Sequence, residues 1–238
     1  MGDLLVIVPS RGRPGRLREM LDASLSLSEA LTDATVGFDD DDPFLPAYEA
    51  LGADPQWSRG HVLWHSGPRD TVAGWTNRLA VREGLGCYRA LASLSDDHMP
   101  RTPGWDRLLL EAIDGMGGTG FAYGNDLLQG EILSTSVVVS SDNLAALGWL
   151  AEPSMRHYRI DNVWKELGEG AGCLAYLPDV IIEHMHPGAG KSGFDATYAA
   201  EAPYAPEDDA AWEIWRAQRK AADVATITAL MARKADAC

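Results

Sequence analysis

Cysteine is scarce in this chain: Cys87, Cys173 and Cys238 are the only three in 238 residues, and they have no metal-ligand spacing. An odd, scattered count argues against a disulfide framework, and none of the three sits beside an activating His or Lys. Basic residues are also outnumbered, with 20 Lys and Arg against 35 Asp and Glu, for a formal charge of -15. Such acidity disfavours wrapping of nucleic acid or adsorption to an anionic membrane, although Arg11, Arg13, Arg16 and Arg18 form one local basic cluster. No apolar run reaches 18 residues, and Met1-Gly2-Asp3 carries an acid where a signal peptide would be basic, so the expectation is a soluble intracellular protein. Internal repeats and long low-complexity linkers are missing. Neither glycine-bearing turn, 10–15 or 188–193, has the spacing of a P-loop or of a dinucleotide fingerprint.

What is present suffices for a large buried core, since 46% of the residues are hydrophobic. Leu4-Leu5-Val6-Ile7-Val8 reads as a strand buried on both faces, followed by a turn and an amphipathic helix from about Arg16. Further strands are predicted at 35–38, 61–65, 88–94, 121–126, 135–140, 173–177 and 180–182. Helices are predicted at 75–84, 105–114, 143–150 and 161–168. A final acidic helix is predicted over 206–234, with an apolar stripe of Ala210, Ile214, Ala217, Ala221 and Ala225. Strands alternating with helices predict an α/β fold whose ligand crevice lies beyond the carboxyl ends of the strands. Acidic turns at 39–42 and 96–98 would then meet in one crevice.

The densest chemical signal is Ser95-Asp96-Asp97-His98, directly after an apolar run. Two carboxylates and an imidazole suit Mg2+ or Mn2+, the imidazole favouring Mn2+, and such an ion can grip a diphosphate. The three side chains cannot share one face of a continuing strand, so a turn after Leu94 is required. Asp97 and His98 are the expected metal contacts, with Asp96 near a ribose or at a second ligand position. His184 or His186, which alternate on one face of an extended run, would complete the shell. A solvated or helix-capping turn is the alternative for 95–98, and N-capping is the alternative for Asp161. Asn125 and Asp126 read either as acceptor-side groups or as turn caps. Trp105 reads either as a lid over a sugar or acceptor, or as a core aromatic.

These segments together resemble a GT-A glycosyltransferase, especially the family-2-like enzymes of bacteria and their viruses. The likeness runs over about residues 4–191, through Val8-Pro9-Ser10-Arg11-Gly12-Arg13, the 95–106 segment, Asp161-Asn162 and 183–187. It implies a GT-A-like, Rossmann-like mixed sheet flanked by helices. A nucleotide-sugar-binding and catalytic domain would span 1–194, and a helical extension, 195–238, would pack on it or on a partner, including a second copy of the chain. It also implies metal-dependent and inverting transfer of a sugar from a nucleoside diphosphate sugar, with a UDP-sugar favoured, to an acceptor hydroxyl. Pro9, Ser10 and Arg11 would lie near the nucleotide, Asp39 near its base or ribose, and Asp96 and Asp97 at the diphosphate. Asp161 would be the catalytic base, and His184 or His186 would close the metal site. Lys191 and Tyr198 would either reach the diphosphate from a C-terminal loop or lie at the surface. His98 stands where the usual Asp-x-Asp motif ends in an acid. The implied location is cytoplasmic, or the host cytoplasm for a phage-encoded chain.

The acceptor stays open among a protein, a glycan and a hydroxymethylated DNA base. Two other functions compete: nucleotidyl or phosphoryl transfer, which uses similar acidic metal sites, and noncatalytic binding of a nucleotide or glycan.

Overall fold

A computed structural model describes residues 2–57 and 61–236; Cys238 lies outside them. Eight strands form one sheet in the order β3-β2-β1-β4-β7-β6-β8-β5. Its parallel half comprises β1 (Gly2–Pro9), β2 (Thr32–Asp39), β3 (Val62–Gly67) and β4 (Tyr88–Ser93). The other half begins with β7 (Val137–Ser140), which pairs antiparallel with β4 and with β6 (Phe121–Asn125). The long β8 (Leu174–His184) runs parallel to β6, and the three-residue β5 (His98–Pro100) closes the edge antiparallel to β8.

The first strand shows why the chain adopts two helical layers. Leu4, Val6 and Val8 face one cluster, which contains Leu17 and Met20 of α1 (Pro14–Ser26), Tyr48 of α2 (Leu45–Gly52), and Leu109 and Ile113 of α4 (Trp105–Gly115). Leu5 and Ile7 face the other, with Trp75 and Leu79 of α3 (Val72–Leu79), Leu144 of α5 (Ser141–Leu147) and Val163 of α6 (Ile160–Ala171). All five strand residues are fully buried, as the continuous apolar run requires.

Strands β1 and β4 are neighbours, but β1 is followed by β2 on its other side. Chain direction around the sheet therefore reverses between them, which opens a crevice at their carboxyl ends. The turn after β1 and the 95–98 turn after β4 both enter it. At the far side, β8 bulges between its pairings with Gly124 and Asn125. A side chain at Gly124 would place Cβ 2.3 Å from the Val180 carbonyl oxygen, so glycine permits this close approach.

The C-terminal segment corrects one sequence expectation. The single helix over 206–234 is two helices, α8 (Ala205–Gln218) and α9 (Lys220–Ala235), preceded by the short α7 (Ala196–Glu201). The predicted small-residue stripe faces solvent, and Ile214 is 53% exposed. Trp215 and Ile227 are instead buried in the second core cluster. The break at Arg219 lets both large side chains reach that core, and Arg219 itself pairs with the buried Glu152. The larger apolar surfaces decide the orientation over the alanines.

Candidate metal and nucleotide-sugar site

One cavity of about 680 Å3 collects residues that are distant in sequence, among them Ser10, Asp39, Asp97, His98, Asp161 and His184. The parallel strands deliver Pro9, Ser10, Asp39 and Ser93 to its rim, and α6 brings Asp161 in its first turn. Pairing of β5 with β8 sets His98 directly opposite His184. The Met185 amide donates to the Asp97 carbonyl at 2.8 Å, tying the two motifs together.

Ligating atoms of Asp97, His98 and His184 lie within 4.8 Å of one another. Asp97 Oδ1, His98 Nε2 and His184 Nδ1 are buried and make no hydrogen bond among the described residues. Buried polar atoms without hydrogen bonds on all three residues of one cluster are costly unless something satisfies them, and an oxygen-nitrogen set of this kind suits Mn2+. The Ser95 N–H donates to His98 Nδ1 at 3.0 Å, and His184 Nε2 lies 3.7 Å from Asp97 Oδ2. The bland reading of 95–98 as a solvated turn is thus replaced by a buried one, with Asp96, Asp97 and His98 each no more than 4% exposed.

Burial and the neighbouring His184 push His98 down to about 3, which leaves its ring neutral and able to ligate. Burial and the Asp97 charge push Asp96 up to about 6. For Asp97, burial opposes ionisation, but the His184 ring and the Tyr198 hydroxyl outweigh it and hold its carboxyl below the ordinary range. Asp96 Oδ2 accepts from Ser10 Oγ at 2.7 Å, and Oδ1 faces Arg13 at 3.3 Å.

Asp39 is also buried at the cavity. Its Oδ1 accepts from the Trp75 indole at 2.7 Å and the Asp70 amide at 3.1 Å, and its Oδ2 accepts from Arg11 at 2.6 Å. Asp161 is not the N-cap of α6; Arg159 takes that position with φ +67°. The Asp161 carboxylate accepts from the adjacent Asn162 amide at 2.9 Å, and burial raises it above its ordinary range. It is therefore a cavity carboxylate with a strengthened affinity for a proton.

Several sequence candidates lie outside the cavity walls. Trp105 is fully buried in the core, with its indole donating to the Ser24 carbonyl at 3.0 Å. Lys191 pairs with Glu183 at 2.9 Å. Asn125 accepts from the Leu127 amide, and Asp126 gathers the amides of Leu128, Gln129 and Gly130 and the Thr135 hydroxyl in a tight turn. That turn supports the site indirectly: the Asp126 carbonyl accepts from the His184 amide at 3.0 Å. His186, by contrast, lines the cavity; it stacks edge to face on His184 with centroids 5.1 Å apart, and its Nδ1 accepts from the Gly188 amide.

Sequence reasoning named Arg13 only as one of a basic cluster that a nucleotide phosphate could use, and did not single out His157 or Asp195 as site residues. His157 lines the cavity; its buried Nδ1 makes no hydrogen bond among the described residues and lies 3.9 Å from a Glu201 carboxylate oxygen. Its position four residues before Asp161 was the available signal. Arg13 and Asp195 are 182 residues apart, and only the fold shows that they form an ion pair.

No protein-family model matches the chain, and no curated protein matches it in sequence. Solved structures do resemble it. A 1–349 fragment of S. aureus TarS in complex with UDP aligns over 76% of this chain and 59% of its own, at 14% identity and a TM-score of 0.57. A mannosyltransferase from Pyrobaculum calidifontis, in complex with GDP-Man and Mn2+, aligns over 100% of this chain and 78% of its own, at 13% identity and a TM-score of 0.56. Glucosyl-3-phosphoglycerate synthase from Mycobacterium tuberculosis, in complex with Mn2+, UDP and phosphoglyceric acid, aligns over 78% and 71%, at 12% identity and a TM-score of 0.51. The chain spans 59% of that TarS fragment and 36% of the longer TarS chain. At these identities the likeness establishes the architecture, a GT-A-like mixed α/β sheet flanked by helices. Among the described residues no helix is long and apolar enough to cross a membrane.

Proposed function

We propose that the chain is a metal-dependent, inverting glycosyltransferase that moves a sugar from a nucleoside diphosphate sugar to an acceptor hydroxyl. The observation that carries this reading is the buried Asp97, His98 and His184 cluster, which shares one cavity with the carboxylate of Asp161. The fold is the one in which solved structures bind UDP or GDP-Man, two of them with Mn2+.

Asp97 Oδ1, an imidazole nitrogen of His98 and Nδ1 or Nε2 of His184 would hold the divalent cation. When bound, that cation neutralises the departing diphosphate. Pro9, Ser10, Arg11 and Asp39 form the nucleotide end, where Asp96 accepts from a ribose or from Ser10. Asp161 accepts the acceptor's proton as the hydroxyl attacks the anomeric carbon, and its raised proton affinity suits that task. Asn125 and Asp126 shape the acceptor side through the 126–130 turn, whose Leu128 and Gln129 line the cavity. A UDP-sugar is the first donor to test, and the family-2-like group is the family analogy we favour. Most cationic side chains near the mouth are already paired, as Arg159 is with Asp209, so a protein or glycan hydroxyl is favoured over DNA.

Calorimetry of UDP- and GDP-sugars with and without Mn2+ identifies the donor. The bound donor is then offered to separate protein, glycan and hydroxymethylated-DNA pools, and a sugar-sized mass gain is sought. Loss of that gain in Asp161→Asn, with donor binding retained, is the expected result. Cation-dependent donor binding without turnover on any pool would point to a binding module instead. Transfer of the nucleotidyl group instead of the sugar would point to nucleotidyl transfer.

A further inference from the structure

Arg13 is nearly buried beside the Asp97 cluster, yet nothing in the proposed reaction has used it. Its guanidinium makes a two-point fork with Asp195, Nε to Oδ2 and Nη2 to Oδ1, each at 2.8 Å. Its third nitrogen faces Asp96 at 3.3 Å and Asp97 at 3.8 Å. A carboxylate held by a guanidinium fork occupies the geometry that a phosphate takes. Three residues further on, the Tyr198 hydroxyl donates to Asp97 Oδ2, at the carboxylate proposed to hold the cation. Its ring lies under the Arg13 guanidinium, 4.1 Å from ring centroid to Cζ. The Thr197 hydroxyl adds a hydrogen bond to the Arg11 carbonyl at 3.0 Å. Gly12, at φ +73°, is what lets the segment come so near, since a Cβ there would sit 2.9 Å from Thr197 Oγ1.

We infer that Arg13 is the diphosphate-binding side chain of the site, and that residues 195–198 fill the site from within, Asp195 in place of the phosphate and the Tyr198 hydroxyl on Oδ2 of the Asp97 carboxylate, whose other oxygen would hold the cation. This rests on the nucleotide-sugar reading above and extends it. A nucleoside diphosphate and its cation then bind by displacing one short segment of the chain itself. Asp195 sets an anion on Arg13 as the diphosphate would, and the Tyr198 hydroxyl draws on the Asp97 charge that a cation would otherwise use in full. The segment is tethered by α8, whose Trp215 is locked in the core, so it can lift away while α8 and α9 stay packed.

Two substitutions separate competition from folding. Asp195→Asn keeps the oxygen that accepts from the Thr197 and Tyr198 amides at the start of α7 but removes the charge that competes for Arg13. Tyr198→Phe keeps the ring under Arg13 but removes the hydroxyl on Asp97. Calorimetry with Mn2+ alone should show Tyr198→Phe binding about 3- to 10-fold tighter than the unmodified chain, the worth of one lost hydrogen bond. Titration with UDP should show a gain of similar size for Asp195→Asn, and a loss of about 10-fold or more for Arg13→Gln. Equal or weaker binding by both strap variants, while Asp97→Asn still abolishes Mn2+ binding, would overturn the inference and leave the metal site standing. Absence of Mn2+ binding in the unmodified chain and in Tyr198→Phe alike would overturn the metal site and the inference with it.

Discussion

His98 and His184 are direct cross-strand partners, and their rings meet edge to face with centroids 4.5 Å apart. Two imidazoles so placed serve one cation better than they serve two protons, because protonating both would bring like charges together in a buried place. Replacing either with Ala should weaken Mn2+ affinity by about 10-fold or more, while the double variant should lose less than the sum of the single effects. Binding also has a local consequence. Ser95 donates to His98 Nδ1, so the neutral ring carries its proton on Nε2, and coordination through either nitrogen displaces the Ser95 amide. Faster hydrogen exchange at Ser95 on adding Mn2+ checks this; unchanged exchange together with unchanged affinity in His98→Ala would remove His98 from the ligand set.

Asp161 gives the proposed reaction a pH signature. Burial raises its carboxyl, outweighing the Asn162 amide and the charge of Arg159. A base works only when ionised, so kcat should fall as pH drops through a value above the ordinary Asp pKa of about 3.9. Donor affinity should change little over the same range. Asp161→Asn should lower kcat by about 100-fold or more and abolish that acid limb. A limb of the same shape in Asp161→Asn would assign the titration to another group.

Much of the frame was legible because short-range patterns encode it. The apolar run at 4–8 required burial on both faces, and the alternation of strands with helices required a crevice at their carboxyl ends. The Asp96-Asp97-His98 and His184 segments could be matched because acids and imidazoles at strand ends are conspicuous. What escaped was set by partners far away in the chain. Arg13 looked like one of several basic residues until Asp195 and Tyr198 were seen around it. The terminal helix was misjudged because regular spacing of alanines suggests a buried stripe, whereas Trp215 and Ile227 remove more apolar area from water and set the packing. Asp42, in the acidic 39–42 turn, is likewise held by a distant partner: it is buried and accepts from the Gly12 amide as well as from the nearby Phe44 amide.

Trp105 separates core from site. Its ring is fully buried among α1 and α4 side chains, and its indole is satisfied by Ser24. Trp105→Ala should cost about 3–5 kcal/mol of stability, read from the denaturant midpoint. Trp105→Phe, which keeps most of the volume, should fold and should bind donor and acceptor as the unmodified chain does. A raised acceptor KM in a well-folded Trp105→Phe would place the ring's function at the cavity after all.

Asp106, the next residue, predicts how the fold responds to acid. Its Oδ1 accepts from the Glu29 and Arg107 amides at 2.9 and 2.8 Å, and its Oδ2 from the Ala30 amide at 3.1 Å and the Thr32 hydroxyl at 2.6 Å. Burial alone would raise its carboxyl, but the Thr32 hydroxyl and these amides hold it below the ordinary range. A depressed folded value means that the unfolded chain binds the proton first as pH falls. The stabilisation is therefore complete above about pH 4 and is lost as pH drops through the lower folded value. Asp106→Asn turns one acceptor into an N–H2 group facing donors, which should cost about 2–4 kcal/mol at neutral pH. It should also flatten the steepest acid part of the stability curve, measured by denaturant unfolding from pH 2 to 7. Because Asp106 ties the 29–32 segment to α4, away from the cavity, Mn2+ and UDP affinities of the folded variant should match those of the unmodified chain. A neutral-pH stability within 0.5 kcal/mol of the unmodified chain, a range typical of surface changes, would refute the anchoring role.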